Sequence, residues 1–482
     1  MSKLSRRRLV EDSLALLTVS AAGSSAILPV RASAQRRVSP SERLRIAVVG
    51  VHGQGRSHVS TYAGMNDVDI VAICDADTAC FGQALEIVQK AGKKTPDTVQ
   101  DVRRLLDRKD IDCITSATPN HWHALVAIWA MQAGKDVYIE KPASHNVLEG
   151  RRMVEAARKY QRICQVGTQS RSNKGMRDAI RFIHSGGIGH VYLARGLCYK
   201  RRDSIGKVSE PTPVPSTVDY NLWLGPAPEK PVMRKRLHYD WHWQWDYGNG
   251  DIGNQGVHEM DKARWGLNKN SLPISALGIG GRFGYEDDGE TPNTELTFLE
   301  YDNAWIIFEV RGLPTNDLRG ARVGNIWYGT KGIVVSNSYH SATAYDLLGN
   351  KVRTFEGGGN HHRNFIDAVR SRKHTDLNCD IQEGHLSAAL CHLGNVSLRL
   401  GTDEPFSAKA TRFGGANAEI WETFGRFEDH LAMNGIRLEN ARFRLGRVLG
   451  VDPRTERFVG DEEANRMLTR EYRAPFVVPD RV

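Results

Sequence analysis

RIAVVGVHGQGRSH, residues 45–58, decides the fold. An apolar, β-rich run breaks into glycine and then into a helix start. Gly50, Gly53 and Gly55, with Gln54 between the last two, form a turn whose backbone can approach a pyrophosphate at the helix N-terminus. A glycine pattern alone is weak. This one heads a βαβ unit, and the next strand, VDIVAICD (68–75), ends in Asp75. A carboxylate at that point accepts hydrogen bonds from an adenine ribose diol and repels a 2′-phosphate, which favours NAD over NADP. His52 stands where the GxGxxG spacing would put its middle glycine, so Gly53 must supply the flexibility.

Working outward, DCITSAT (112–118), KDVYIE (135–140) and RICQVG (162–167) are continuous apolar runs of the kind buried on both faces of a parallel sheet. ALVAIWAMQAG (124–134) and VLEGRRMVEAARKY (147–160) lie between them with helical character. The alternation predicts an α/β Rossmann domain, a doubly wound parallel sheet, over 43–165. Longer, more alternating strands follow: VYLARGLCYK (191–200), ISALGIGGRFGY (274–285), TELTFLEY (294–301), AWIIFEVRG (304–312), NIWYGTKGIVVSN (325–337) and TAYDLLG (343–349). A Pro-rich loop (211–228) interrupts them, and two helical segments (364–372 and 384–400) follow. These predict an α+β domain over 166–410 with a large open, mostly antiparallel sheet, suited to substrate binding and to homo-oligomer contacts. Residues 411–482 read as a polar C-terminal extension, ending in an arm (REYRAPFVVPD) that can pack on the body or on a second subunit.

Composition narrows the function. With 482 residues, 40% apolar and 25% charged, the chain reads as a two-domain globular protein with extensions. Ser5-Arg6-Arg7-Arg8-Leu9, the uncharged stretch Ser13 to Leu28 and Ala32-Ser33-Ala34 form a twin-arginine signal peptide over 1–34, which predicts a periplasmic or exported protein. An uncleaved anchor is the alternative. Past this leader no apolar run reaches the ~18 residues of a spanning helix, so no integral membrane domain is expected. The net charge is +9, and +6 without residues 1–34; it is spread with no basic tract, so no nucleic-acid partner is expected. The seven cysteines show no CxxC spacing and no disulfide framework.

TPNHWH (118–123), AGKDVYIEKP (133–142) and GVHEMD (256–261), together with the Gly-rich turn, resemble the Gfo/Idh/MocA family of oxidoreductases, from Leu44 to about Gly401. The resemblance implies that Thr118, Pro119, Asn120 and His123 pack around the cofactor and that Lys141 lies by the nicotinamide and the reacting carbinol. Lys141 also stands at the carboxyl end of a Rossmann strand, where ligands bind and desolvation can lower its pKa. Glu140 can orient it. The family pattern Asp-x-Gly-x-His-x-x-Asp is met by Gly256, His258 and Asp261, with Asn254 in place of the first acid and Asp251 a possible substitute. Asn254, His258 and Asp261 share a face on one helix. His258 is then the proton acceptor, with Lys141 positioning or relaying, and Asp261 the group that fixes the imidazole tautomer or holds a hydroxyl. Gln169 and Arg171 resemble the family's substrate-side loop.

Trp241, His242, Trp243 and Trp245 can present rings to a sugar or can be loop packing; Tyr199, Lys200 and Arg201 end a strand that can reach a polyol. His242, Asp246, His258, Asp261, His361, His362, His385 and His392 are potential metal donors, but no ligand spacing gathers them and no metal is expected. The expected function is NAD-dependent oxidation of a secondary hydroxyl on a sugar, glycoside or cyclic polyol. A redox-assisted glycoside hydrolase with tightly held NAD is one alternative, and a non-catalytic sugar-binding protein on the same fold is the other.

Overall fold

A computed structural model describes residues 39, 42–408 and 417–482; the expected signal peptide lies outside them. Six parallel strands, β1 (Leu44–Val49), β2 (Val68–Cys74), β3 (Asp97–Val99), β4 (Cys113–Ser116), β5 (Asp136–Ile139) and β6 (Cys164–Val166), form one sheet in the order β3-β2-β1-β4-β5-β6. Chain order reverses between neighbours β1 and β4, so the loops leaving their carboxyl ends flank the crevice where such sheets bind ligands. Between the strands run α1 (Gln54–Ala63), α2 (Phe81–Lys90), α3 (Arg103–Leu106) and α4 (Asn120–Gln132), and α5 (Val147–Lys159) links β5 to β6. Ala47, Val49 and Ile114 face one core, and Ile46, Val48 and Tyr138 the other. This is why these strands read as unbroken apolar runs.

The chain continues through α6 (Lys174–His184), β7 (Val191–Cys198), α7 (Tyr220–Leu224), α8 (Gly250–Asn254), α9 (Gly256–Gly266), β8 (Ser275–Gly281), β9 (Thr294–Tyr301) and β10 (Ala304–Arg311). It then forms β11 (Val323–Gly329), β12 (Gly332–Ser336), β13 (Ala342–Asp346), β14 (Lys351–Phe355), α10 (His361–Ser371), α11 (Ile381–Arg399) and β15 (Thr402–Pro405). After the undescribed 409–416 come α12 (Ala418–Met433), β16 (Arg442–Leu445), β17 (Leu449–Asp452), β18 (Arg457–Phe458) and α13 (Glu462–Arg466). The second sheet runs β14-β13-β12-β11-β7-β10-β9-β8-β16-β15, with β17 and β18 attached beside β8. β7 lies parallel to β10, and the other pairings are antiparallel. On β9, Leu299 and Tyr301 enter the core shared with α9 and α11, while Leu296 and Phe298 enter the core shared with α12.

Three expectations change here. The segment 166–410 is not self-contained: Phe365 and Ile366 of α10 and Ile381 and Ala388 of α11 complete the two cores of the Rossmann sheet. The segment 411–482 is no peripheral tail, because β16 and β17 are strands of the large sheet. Its terminal arm packs on its own body, with Phe476 edge-on to Trp122. Finally, Phe424, Phe427 and Leu431 of α12 cover the outer face of the sheet over β8, β9 and β10. A face expected to be open for a second subunit is there closed by the chain itself. No described helix is long and apolar enough to cross a membrane.

Candidate active site

The glycine turn after β1 is built for close approach. Gly50 has φ +78°, and a side chain there would put its Cβ 2.7 Å from the Thr118 nitrogen. A Cβ on Gly55 would collide with the Gly50 carbonyl, whereas Gly53 has open space above it. The first turn of α1 has no side-chain cap; its Arg56 N–H is taken by the Gly53 carbonyl at 3.1 Å, so an anion would meet the N–H groups of Gln54 and Gly55. Asp75 follows β2 and accepts the N–H groups of Val51 (2.7 Å) and Asp77 (3.0 Å). Burial raises its carboxyl above the usual range, opposed by those two hydrogen bonds. Asp75 lines a cleft with Gly50, Pro119, Leu222 and Trp223. His52, the residue out of pattern, stacks on His238 at 4.3 Å, and His238 Nε2 lies 3.0 Å from Asp77. An uncapped helix start, free space over Gly53 and a carboxylate at the strand end fit a dinucleotide along this cleft.

A second cavity of about 600 Å³ adjoins that cleft, with Ala117, Thr118 and Trp241 lining both. It brings together most of the residues singled out in the sequence: Gly53, Gln54, Thr118, Asn120, His123, Glu140, Lys141, Gln169, His242, Asn254 and His258 all line it. The β5 end supplies Glu140 and Lys141. The Glu140 carboxylate accepts from Gln169 Nε2 (3.2 Å), Gln54 Nε2 (3.4 Å) and the Lys141 N–H (3.2 Å), and His58 Nε2 lies 3.1 Å away. Burial alone would raise this carboxyl; the His58 bond and the Lys141 charge hold it below the usual carboxylate range. The His123 ring spans the carbonyls of Pro142 (2.6 Å) and Thr118 (2.8 Å), tying the two loops together. The Lys141 ammonium donates to the Asn254 carbonyl at 2.9 Å. Burial lowers its pKa, and Glu140 opposes that shift.

His258 sits on α9 with its ring 4.7 Å from that of Tyr339. Its Nδ1 is sealed from solvent without a hydrogen-bond partner, so Nε2 is the nitrogen left for a substrate. Burial, followed by the Lys141 charge, pushes its pKa well below the usual imidazole range. The ring is therefore neutral near pH 7 and able to accept a proton.

The expected helix is interrupted, although Asn254 and His258 still line one cavity. Asn254 ends α8, Gln255 intervenes, and α9 begins at Gly256. Asn254 therefore meets Lys141 through its carbonyl, a contact indifferent to whether the side chain is acid or amide. Asp261 does not reach His258. It is fully buried, accepts Arg171 Nε at 2.9 Å on both oxygens and Ser387 Oγ at 2.7 Å, and does not line the cavity. Arg171 is correspondingly withdrawn from any substrate; its Nη2 lies 3.0 Å from Glu383 and its guanidinium lies over Trp265. A buried carboxylate takes the cation that tertiary packing offers, and here that cation is Arg171 rather than the imidazole. Asp251 is forked by Arg202 (2.8 and 2.7 Å) and does not line the cavity either.

Of the aromatic run, Trp241 and His242 stack at 3.6 Å on the cavity wall, Trp243 lies under Arg202, and Trp245 faces a separate hollow with Arg399. Tyr199 is turned away, bonded to Glu309 at 2.7 Å, and Arg201 pairs with Asp203, so Lys200 alone of the three enters the cavity. Arg202, Tyr239, Gln255, Tyr339 and His362 also line it. Gln255 was visible beside Asn254, but Tyr339 arrives from the β12–β13 loop, and nothing local in the sequence marks it. Among the described residues no three His, Cys, Asp or Glu side chains gather as metal ligands.

Residues 44–168 match the family profile "Oxidoreductase family, NAD-binding Rossmann fold", and residues 191–422 match its companion, "Oxidoreductase family, C-terminal alpha/beta domain". Two similar proteins are "Glycosyl hydrolase family 109 protein 1" of Shewanella sp. (strain ANA-3) and "Alpha-N-acetylgalactosaminidase" of Shewanella oneidensis. Each is 35% identical over 129 residues, which is 26% of this chain and 28% of the relative. The match thus spans less than a third of those relatives' length. Among solved structures, the WlbA dehydrogenase of Chromobacterium violaceum, in complex with NADH and UDP-GlcNAcA, superposes with a TM-score of 0.56 at 19% identity, covering 74% of this chain and 94% of that one. Levoglucosan dehydrogenase with NADH and levoglucosan gives 0.54 at 20% identity, covering 73% and 96%. These likenesses show the fold, and the two matched profiles show the family: this chain is a member of the Gfo/Idh/MocA oxidoreductases, with that family's NAD-binding Rossmann domain.

Proposed function

We propose that the protein oxidises a secondary hydroxyl of a sugar, glycoside or cyclic polyol with NAD. The observation that carries this is the convergence of Lys141 and His258, from different layers of the molecule, in a cavity that shares Ala117, Thr118 and Trp241 with the glycine-turn cleft. The turn of Gly50, Gly53, Gln54 and Gly55 and the start of α1 would hold the pyrophosphate, Asp75 the adenine ribose, and Thr118, Pro119, Asn120, His123 and Glu140 the nicotinamide end. Bound NAD supplies the hydride acceptor. The neutral His258 Nε2 takes the hydroxyl proton, and the adjacent Glu140 charge favours the imidazolium that forms. The half-buried Lys141 ammonium, steadied by the Asn254 carbonyl, orients the hydroxyl and relays the proton, releasing one outward as it takes one from His258. Gln169, His242 and Asn254 border the sugar.

A second reading, a glycosidase that oxidises a ring carbon, eliminates the aglycone and returns the hydride to retained NAD, is favoured by the names of the Shewanella relatives. Releasing and identifying the cofactor from purified protein, then screening glycosides for reduced-nicotinamide absorbance, tests both. NADH accumulation supports the dehydrogenase, and free sugar without NADH supports the glycosidase. Protein that carries no NAD and turns over neither class overturns both. The twin-arginine leader supports export after folding around the cofactor, into the periplasm. Self-association through the large sheet is confined to the part that α12 leaves uncovered, towards β11–β14.

A further inference from the structure

The charges around the cavity do not cancel. Lys200, two residues past β7, reaches the cavity that holds Lys141 and His258, and its side-chain hydrogen bond goes to the neutral Gln255 Oε1 at 3.3 Å. No carboxylate among the described residues pairs with it. The other charges nearby are spent. Arg202 is forked onto Asp251 and donates to the Tyr239 hydroxyl at 3.1 Å, and Arg201 is paired with Asp203. Glu140 is committed to the His58, Gln169, Gln54 and Lys141 contacts. Glu259, behind Gln255, faces Lys262 at 3.6 Å. His242 and His362 are held neutral by burial, each with its pKa lowered to about 3. The cavity therefore presents one ammonium without a counter-charge, beside a second lysine. Bound NAD would place its positively charged nicotinamide ring on this side and its negative pyrophosphate at the glycine turn.

Resting on the oxidoreductase reading above, we infer that the substrate is a sugar bearing a carboxylate, a uronic acid or its glycoside, whose carboxylate docks on Lys200 while its hydroxyl meets His258. A single flexible ammonium anchored on an amide oxygen suits a monoanion. A sugar phosphate, with two charges and three oxygens, is better matched by an arginine fork, and the forks here are already occupied. Lys200 and His258 line the same cavity of about 600 Å³, which a hexose would share with the nicotinamide end. Lys200 is exposed at the cavity rim, so replacing it removes charge without opening the core.

The test is calorimetric binding of methyl β-D-glucuronide, methyl β-D-glucoside and glucose 6-phosphate to the full-length, NADH-loaded protein at low salt. The glucuronide should bind at least about tenfold more tightly than the glucoside. Lys200→Met should erase a preference of about tenfold to a hundredfold, the range expected for a hydrogen bond to a charged group. Lys200→Arg should keep most of it, and both variants should melt at the wild-type temperature. Equal affinity for glucuronide and glucoside, a preference unchanged in Lys200→Met, or tighter binding of the phosphate overturns the assignment. The two readings fail separately. Tight, Lys200-dependent glucuronide binding with neither NADH formation nor aglycone release sinks the oxidoreductase reading alone. Oxidation of neutral glycosides with no preference for the acid sinks the Lys200 assignment alone.

Discussion

Replacing Asp261 with asparagine separates a structural carboxylate from a catalytic one. In the wild type two guanidiniums and two carboxylates meet between the loop at Arg171, α9 and α11. Arg171 contacts Asp261 and Glu383, and Arg264 Nη2 bonds Glu383 at 2.6 Å and lies 3.9 Å from Asp261. Asp261→Asn leaves both cations facing Glu383 alone, with the Asp261 site fully buried. Breaking a buried pair in this way costs about 3–5 kcal/mol. Roughly 430 residues unfolding with about 2.1 cal/mol/K each give an entropy of about 0.9 kcal/mol/K, so the melting temperature should fall by about 3–6 °C. Differential scanning calorimetry of NAD-loaded protein measures this, and exposure to 0.5 M salt should barely change it because the pair is dry. Steady-state turnover should drop by less than about tenfold, well short of the 10²–10⁴-fold expected on losing an acid–base group. An unchanged melting temperature with a hundredfold loss of kcat would refute the reasoning and return Asp261 to the chemistry.

Removing Lys141 or His258 as alanine should each lower kcat by roughly 10²–10⁴-fold, and the double variant by much less than the product; near-full turnover by His258→Ala is the contrary result. Asp75→Asn should weaken NAD binding by about 1.5–3 kcal/mol in a fluorescence titration, and equal wild-type affinity for NAD and NADP would defeat the ribose assignment. Glu295, buried on β9 with a hydrogen bond from Thr297 (3.5 Å), has its carboxyl raised by burial to about 8. Because the folded value exceeds the unfolded one, its contribution is present at low pH and is lost as pH rises towards 8. The stability gained by Glu295→Gln should therefore grow by up to about 1.4 kcal/mol per pH unit between pH 5 and 8, and a pH-independent difference in urea midpoints would contradict this. Changing Arg6, Arg7 and Arg8 to Lys should hold the protein in the cytoplasm, and export at the wild-type level would show that another route reads the leader.

Local periodicity carried the Rossmann half. Strands buried on both faces advertise themselves as runs such as RIAVVG, and the glycine turn, Asp75 and Lys141 sit at strand ends, which a sequence locates well. The large sheet was legible for the same reason where its strands alternate over seven or eight residues, as in β9 and β10. It was not legible in β16 and β17, four residues each with arginine or glycine interleaved, which become strands only because β8 offers them an edge. Spacing arithmetic placed Asn254, His258 and Asp261 on one face; Asn254 and His258 do line one cavity across the break at Gln255, but Asp261 is claimed by Arg171 and Ser387, which arrive from distant segments. Tyr339, which reaches the cavity from the β12–β13 loop, belongs to the same class of long-range information.

The cover that α12 lays over β8, β9 and β10 has a consequence for how this protein answers to dilution. A sheet face shielded by a second molecule is shielded only while that molecule is bound, so its integrity follows mass action and fails as the sample is thinned. Here the shielding segment is joined to the sheet it shields, and its local concentration is fixed by the intervening chain rather than by the number of molecules in the vessel. Phe298 and Ile307, which share a core with Phe424 and Phe427, should therefore stay covered at nanomolar protein as at millimolar.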